Sequence, residues 1–146
     1  DIPKTLAKYY DMKYNNKKEY ELLQGYARAV EKGDISPLIG FDLYKETSAR
    51  VEKELVDLVT SNGITIKGYK TYFIDRVIGR VSEPHKGKRS GVPIDKVREA
   101  LLHSEDVSDV AERTVSGEIK YSLKYFGKSC DVSINAETHE LVQTNP

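Results

Sequence analysis

The spacing of apolar positions predicts that helices dominate the first part of the chain. Apolar residues recur every three or four positions over residues 5–32 and again over residues 47–60, as expected for two helices with one buried face each. We expect the first helix to be interrupted near Asn15-Asn16. The segment 33–40 is bounded by glycines and contains a proline, so it is predicted to be a connector.

The pattern changes twice in the middle of the chain. Residues 64–68 alternate and are rich in β-branched side chains, which predicts a short strand, whereas residues 70–81 return to helical spacing. A basic, glycine-containing loop follows at 82–91. A short helix is then predicted to begin at Pro93 and to end near His103.

The remainder of the chain has the pattern of an antiparallel sheet. Its strand-length runs are 110–115, 118–126, 130–135 and 140–145. The breaks between them are short, so neighbouring runs are expected to pair antiparallel. In the longest run, Ile119, Tyr121, Leu123 and Tyr125 share one face, which leaves the other face wet. We therefore predict an α+β fold, with N-terminal helices packed on a C-terminal antiparallel sheet of about four strands.

The length of 146 residues suits one domain. We expect this domain to combine a helical N-terminal part, 1–60, with a helix-and-sheet core, 64–146. The chain starts at Asp1 without an initiator methionine, so we expect it to be the C-terminal part of a larger polypeptide. No apolar run approaches the roughly 18 to 20 residues that a membrane span needs, so no membrane-spanning segment is predicted.

Charge is distributed unevenly although the formal net charge is zero. Residues 64–98 hold nine Lys or Arg and three acids, whereas residues 99–118 hold one base and six acids. A globally basic surface is excluded, so binding to nucleic acid would need a local patch. The alternative is ordinary surface charge on solvated helices.

The residue types present argue against several classes of site. The glycine-loop, zinc-protease and serine-hydrolase signatures are absent, and the three histidines are far apart in sequence. The single cysteine, Cys130, excludes a disulfide within the chain and a thiolate metal cluster, and is expected to be a buried structural thiol. We therefore predict neither a metal nor a cofactor.

The remaining polar residues suit phosphodiester chemistry without a metal. Arg76 offers a planar fork for a phosphate, and Tyr72, one helical turn earlier, could hold or relay a proton. The basic residues close to them in sequence are Lys70, Arg80, Lys86, Lys88 and Arg89. From the sheet, Thr144 and the wet-face residues Lys124 and Ser133 could join them.

Each of these residues also has an ordinary structural interpretation. Arg76 could pair with an acid such as Asp75 or Asp106, Tyr72 could be a half-buried aromatic, and Thr144 could be a plain strand threonine. The residues alone leave these alternatives open.

The order of parts resembles the Barnase–EndoU–colicin–RelE superfamily of metal-independent ribonucleases. The resemblance covers about residues 64–146: a strand, a helix with the core F-I-D-R-V, a basic loop, a short G-V-x-I-x-x-V helix, and strands ending V-x-I-N and L-V-Q-T-N-P. More narrowly, the chain is similar to the members found at the C-termini of contact-dependent growth inhibition toxins and of some phage head proteins.

The resemblance implies cleavage of RNA, with tRNA as the expected substrate. The ribose 2′-hydroxyl would attack the adjacent phosphate and leave a cyclic phosphate and a 5′-hydroxyl. Relatives often carry a histidine where Tyr72 stands, and a tyrosine is a poorer base because its usual pKa is about 10. Tyr72 is therefore a natural variant, or the base lies elsewhere, with His85 the nearest candidate, or this copy is inactive.

The resemblance also implies partners and a route of delivery. An acidic immunity protein would block the nuclease in the producing cell, and a host cytosolic protein could be needed for activity. The domain would be secreted or displayed as part of a larger protein and would act in the cytoplasm of a target cell. The alternative is a non-catalytic interaction module of a phage or surface protein with the same fold.

Overall fold

Helices fill the first part of the chain and the long strands fill the last part, which confirms the predicted α+β class. The computed structural model describes residues 12, 13, 15–80 and 89–146. The helices are α1 (Lys17–Lys32), α2 (Phe41–Glu54), α3 (Thr71–Ile78) and α4 (Ile94–Leu102). The strands are β1 (Gly68–Tyr69), β2 (Gly79–Arg80), β3 (Arg89–Ser90), β4 (Asp106–Val107), β5 (Ala111–Val115), β6 (Glu118–Phe126), β7 (Asp131–Asn135) and β8 (Glu140–Asn145). None of the helices in these ranges has both the length and the apolar character needed to cross a bilayer.

Helix α1 begins and ends where the sequence predicts a break and a stop. The Asn16 side chain caps its first turn by accepting a hydrogen bond from the Glu19 N–H at 3.3 Å. Gly33 takes the left-handed conformation, with φ of 82°, and its N–H reaches the carbonyls of Ala29 and Val30. The predicted start of this helix, before residue 12, lies outside the described residues.

Helix α2 starts and ends six residues earlier than the predicted 47–60, so that prediction is wrong at both ends. Its first turn belongs to the core, because the Tyr26 ring packs on Phe41 at 5.6 Å and on Tyr44 at 5.3 Å between centroids. After the helix, the chain turns back on itself and Val59 forms a single bridge with Thr65. The apolar residues that follow Glu54 therefore belong to this chain reversal and not to a further turn of the helix.

The sheet is larger than predicted and is mixed. Its order is β1-β8-β7-β6-β4, with β5 also paired to β6, and every pair is antiparallel except β1 with β8. The four predicted strand runs are confirmed within a residue or so, but the predicted strand 64–68 is wrong. The chain instead joins β8 slightly later, where the Lys67 N–H donates to the His139 carbonyl and the Lys70 N–H to that of Leu141.

The two faces of the sheet differ in burial. The inner face carries the buried side chains Leu123, Tyr125, Val132, Ile134, Leu141 and Thr144. The apolar members form one core with residues of all four helices, including Ala29, Val51, Phe73 and Leu101, so the helices cover this face. The outer face carries Ser122, Lys124, Ser133 and Gln143. These side chains are half-buried, and none of the four belongs to the hydrophobic core.

A short hairpin and a helix end meet at a position that requires glycine. Strands β2 and β3 pair antiparallel, with Arg80 opposite Arg89, so part of the predicted loop 82–91 is a strand. The Val92 N–H then donates to the Val77 carbonyl at 3.0 Å. A Cβ on Gly91 would lie 2.4 Å from that same carbonyl oxygen, so only glycine fits between the two segments.

One part of the sheet extends beyond the core. Strand β7 pairs with β6 only from Ser122 onward, whereas residues 118–121 of β6 pair with β5 alone. Every side chain from 111 to 121 is exposed. We call residues 111–121 the projecting ribbon.

Candidate functional site

Helix α3 presents the two residues that the sequence singles out, Tyr72 and Arg76. The helix is amphipathic, and it buries Phe73 and Ile74 completely against the inner face of the sheet. Tyr72 and Arg76 are four residues apart, so they lie one above the other on a neighbouring stripe. The structure brings these two residues together, as the sequence analysis expects.

The Arg76 side chain is mostly buried, with only 11% of its surface exposed. One terminal nitrogen donates to the Tyr72 hydroxyl oxygen, and the guanidinium carbon lies 4.3 Å from the centre of the Tyr72 ring. Its Nε is buried and has no hydrogen-bond partner among the residues that the structure describes. The guanidinium is therefore held in one orientation while part of its donor capacity is unused.

Asp75 offers Arg76 only a weak ion pair. Its Oδ2 lies 3.9 Å from an Arg76 terminal nitrogen, near the outer limit for such a contact. Its Oδ1 accepts a hydrogen bond from the Ser36 N–H at 3.2 Å, which ties the 33–40 connector to α3. Asp75 is fully buried and serves the fold, a role that the sequence analysis did not assign to it.

Lys70 and Lys124 lie apart from this pair. Lys70 precedes α3 and forms an ion pair with Glu140 at 3.1 Å, on the edge of the sheet. Lys124 is on the outer face, where its Nζ lies 5.8 Å from the centre of the Phe126 ring. Because α3 packs on the inner face, Lys124 and its neighbour Ser133 are not brought to Arg76.

Thr144 is not part of an open cleft, which corrects the expectation that its hydroxyl would join Tyr72 and Arg76 there. It lies opposite Val132 on the inner face, is fully buried, and donates to the Asp131 carbonyl at 2.7 Å. The alternating strand pattern places it in the core, and its hydroxyl is satisfied there. Thr144 is a structural strand threonine.

The predicted basic patch is described only in part. Arg80 and Arg89 are cross-strand partners in the β2–β3 hairpin, directly after α3, so their backbones lie close together. His85, Lys86 and Lys88 fall outside the described residues.

Cys130 and the acidic and histidine residues form no metal site in the described ranges. No group of three His, Cys, Asp or Glu side chains there could hold a metal ion. Burial raises the pKa of the Cys130 thiol, whose S–H donates to the Lys96 carbonyl at 3.5 Å. A buried thiol of raised pKa is a poor nucleophile, in keeping with the structural role expected for it.

Comparison of the chain with protein-family models, curated proteins and solved structures finds no match.

Proposed function

We propose that this chain is a metal-independent endoribonuclease that cleaves tRNA and acts as a toxin. The observation that carries the proposal is the Arg76 guanidinium. Burying a charge costs several kcal/mol unless it is well paired, and Arg76 has one distant carboxylate and an unused Nε. Such an arrangement is expected where a bound anion completes the pairing. A phosphate is the anion that best fits a planar guanidinium fork.

Arg76 would bind a non-bridging oxygen of the phosphate next to the attacking 2′-hydroxyl. Its charge would stabilise the negative charge that builds up on this oxygen in the transition state. Because the Tyr72 ring and hydroxyl already fix its orientation, little reorganisation is needed when the substrate binds.

Tyr72 would donate a proton. Its oxygen accepts a hydrogen bond from Arg76, so its own O–H hydrogen remains available to a phosphate oxygen or to the departing 5′-oxygen. Attack by the 2′-oxygen forms the new P–O bond, and the bond to the 5′-oxygen breaks as that oxygen takes up the proton. The proton acceptor for the 2′-hydroxyl would be His85, and Thr144 has no part in the reaction.

The remaining partners belong to the same proposal. The basic residues Arg80, Lys86, Lys88 and Arg89 would bind RNA next to Arg76. Lys70 and Lys124, which lie apart from the Tyr72–Arg76 pair, would contact other parts of the RNA. An acidic immunity protein would cover the basic stretch, since complementary charge also speeds association. The domain would be delivered from a secreted or surface protein into the cytoplasm of a target cell, with a host cytosolic protein as an optional activator.

The experiment compares Arg76→Lys with wild type on total tRNA, with EDTA present throughout. Lysine keeps the charge but loses the fork, so we expect a loss of cleavage rate of about a hundredfold, the scale of one lost transition-state donor. The matched control is Arg50→Lys on α2, because Arg50 is an exposed arginine far from the site in sequence. Products should carry a cyclic phosphate end.

Two results would contradict the assignment. A folded Arg76→Lys variant with wild-type activity would remove Arg76 from the site. No cleavage by the wild-type protein, even with cytosolic extract added, would favour the second candidate, a non-catalytic interaction module. That candidate has its own support, because the projecting ribbon exposes Ile119 and Tyr121, which have no packing partner in the core.

A further inference from the structure

The projecting ribbon leaves one edge of the sheet without a neighbouring strand. Strand β5 pairs with β6 on one side, and on its other side it pairs with no strand in the described ranges. The ribbon turns at Ser116 and Gly117, whose positive φ values of 52° and 80° are typical of a tight two-residue hairpin. This turn holds β5 extended, with its outer edge open to another strand.

The pairing pattern shows which backbone groups point to this edge. In an antiparallel pair, opposite residues alternate between those that exchange two hydrogen bonds and those that exchange none. The Tyr121 carbonyl accepts from the Ala136 N–H at 2.9 Å, on the other side of β6, so Tyr121 and its partner Glu112 do not bond to each other. The N–H and C=O of Glu112, and those of Thr114 two residues later, therefore face the open edge.

The charges beside this edge are poorly balanced within one chain. Arg113 is directly opposite Lys120, so two bases lie side by side on one face of the ribbon. Lys120 has a carboxylate at 4.0 Å, that of Glu118, whereas Arg113 has no ion pair with any described residue. Because opposite charges across a strand pair are favourable and like charges are not, a carboxylate on the open side of Arg113 would stabilise this arrangement.

The chain carries such a carboxylate along the same edge. Residues 109–113 read D-V-A-E-R, with an acid at one end, a base at the other and the small Ala111 in the centre. Asp109 and Val110 are exposed. When two copies of this segment run antiparallel about Ala111, each Asp109 lies opposite the Arg113 of the second copy.

This register is also the best of those available to the two edges. Moving each strand by one residue places Glu112 opposite Glu112, and moving it by two places Arg113 opposite Arg113, so like charges meet in both cases. In the register about Ala111, Glu112 is opposite Val110, which has no backbone hydrogen bond among the described residues. Each Glu112 can then exchange two backbone hydrogen bonds with the second copy.

We propose that two copies of this chain pair through the open edges of β5, with a two-fold axis between their Ala111 residues. The contact is isologous, so the sheet of one copy continues into that of the other. The formal net charge of zero adds no general repulsion between the copies. A contact between two single strands is smaller than the standard interface of about 1,600 Å², so the dimer is weak. The interface includes neither Tyr72 nor Arg76 and does not rest on the proposed ribonuclease function.

Sedimentation of the whole chain at low salt, over about 10 µM to 1 mM, tests the pairing. We expect the average mass to rise with concentration toward that of two chains. Arg113→Glu and Asp109→Lys should each weaken the dimer at least about tenfold, because each places like charges opposite each other. An equal mixture of the two variants should form dimers again, because every acid then meets a base.

Two exposed charge reversals in the turns on either side of β7, Lys128→Glu and Glu137→Lys, are the matched controls and should leave the dimer unchanged. A wild-type chain that stays monomeric over the whole range would overturn the proposal. A mixture of Arg113→Glu and Asp109→Lys that dimerises no better than either alone, or equal losses in the controls, would overturn it as well.

A disulfide test checks the register. In the proposed pairing the Cα atoms of the two Ala111 residues are about 4.5 Å apart, within the range of a disulfide, so Ala111→Cys should cross-link readily on mild oxidation. Val115→Cys, exposed on the same strand, would lie about 27 Å from its counterpart and should not cross-link. The native Cys130 is buried and does not compete. Equal cross-linking of the two variants, or faster cross-linking of Val115→Cys, would overturn the proposed pairing.

Discussion

The two halves of β6 have the same alternating sequence but lie in different surroundings. On the inner face, Tyr125 is fully buried and Leu123 is 6% exposed, whereas Tyr121 and Ile119 on the same face are 37% and 56% exposed. The difference comes from what covers the strand, because α4 packs near the end of β6, whereas none of the described helices covers the projecting ribbon. Alternation therefore predicts which way a side chain faces, but burial depends on a second element.

The largest expected effect is the difference in unfolding free energy between alanine variants of Tyr125 and Tyr121. Tyr125→Ala should reduce the free energy of unfolding by about 3–5 kcal/mol, since it removes a fully buried ring. Tyr121→Ala, the matched change in the ribbon, should cost less than about 1 kcal/mol. Urea denaturation of both variants measures the difference, and a similar cost for both would show that the ribbon is packed in solution.

A smaller difference in stability is expected between variants of the two glycines that flank β6, Gly117 and Gly127. A Cβ on Gly127 would lie 2.5 Å from the Ala100 Cβ, so Gly127→Ala should cost about 1–3 kcal/mol by pushing α4 away. Gly117 has open space around it but a φ of 80°, which asparagine tolerates. Gly117→Asn should therefore change stability only by a few tenths of a kcal/mol.

Thermal unfolding of both glycine variants tests this contrast. Adding Ala100→Gly to Gly127→Ala should recover part of the loss, which a double-mutant cycle detects as a coupling between the two positions. Independent, additive effects would mean that the close contact with α4 is not the cause.

The smallest expected effect is a pH dependence of the free energy of unfolding, caused by Tyr125 at the buried end of β6. Burial raises the pKa of Tyr125 above its usual value near 10, and hydrogen bonds with Thr60 and Asn62 offset part of this rise. The folded state therefore keeps this proton more tightly than the unfolded state does. Its contribution to stability is complete below pH 10 and is lost as pH rises through the higher folded-state pKa.

Tyr125→Phe tests this linkage. At neutral pH the variant should be less stable by about 1 kcal/mol, because the hydroxyl bonds to Thr60 at 2.9 Å and to Asn62 at 2.5 Å. Above pH 10 its stability should fall less steeply than that of wild type, so the two curves approach each other. Parallel curves in urea titrations at pH 8 to 11 would contradict the assignment of the pKa rise to Tyr125.

The sequence predicts those elements whose signals are local. The caps of α1 and the strands β5 to β8 follow from capping residues, turns and alternation within a few positions. The start of α2 could not be predicted this way, because Phe41 and Tyr44 are helical through contacts with Tyr26 on another helix. The β1–β8 pairing joins residues about 70 positions apart, and no local pattern encodes it.

The residues of the candidate site also divide into those that local spacing predicts and those whose position depends on the whole fold. The Tyr72–Arg76 pair follows from helical spacing alone, so the sequence predicts it. The position of Thr144 depends on which face of the sheet the helices cover, and that is a property of the whole fold.

The pairing of β8 between β1 and β7 sets the order in which the protein can assemble during synthesis. A ribosome makes chains from the N-terminus at about 5–20 residues per second, so α1 to α4 are complete before β8 exists. Yet α3 packs on the inner face that β8 helps to form, and β1 has no other described partner strand. The sheet-facing apolar side chains of α3 therefore gain their full cover only after β8, the last described strand, has been made.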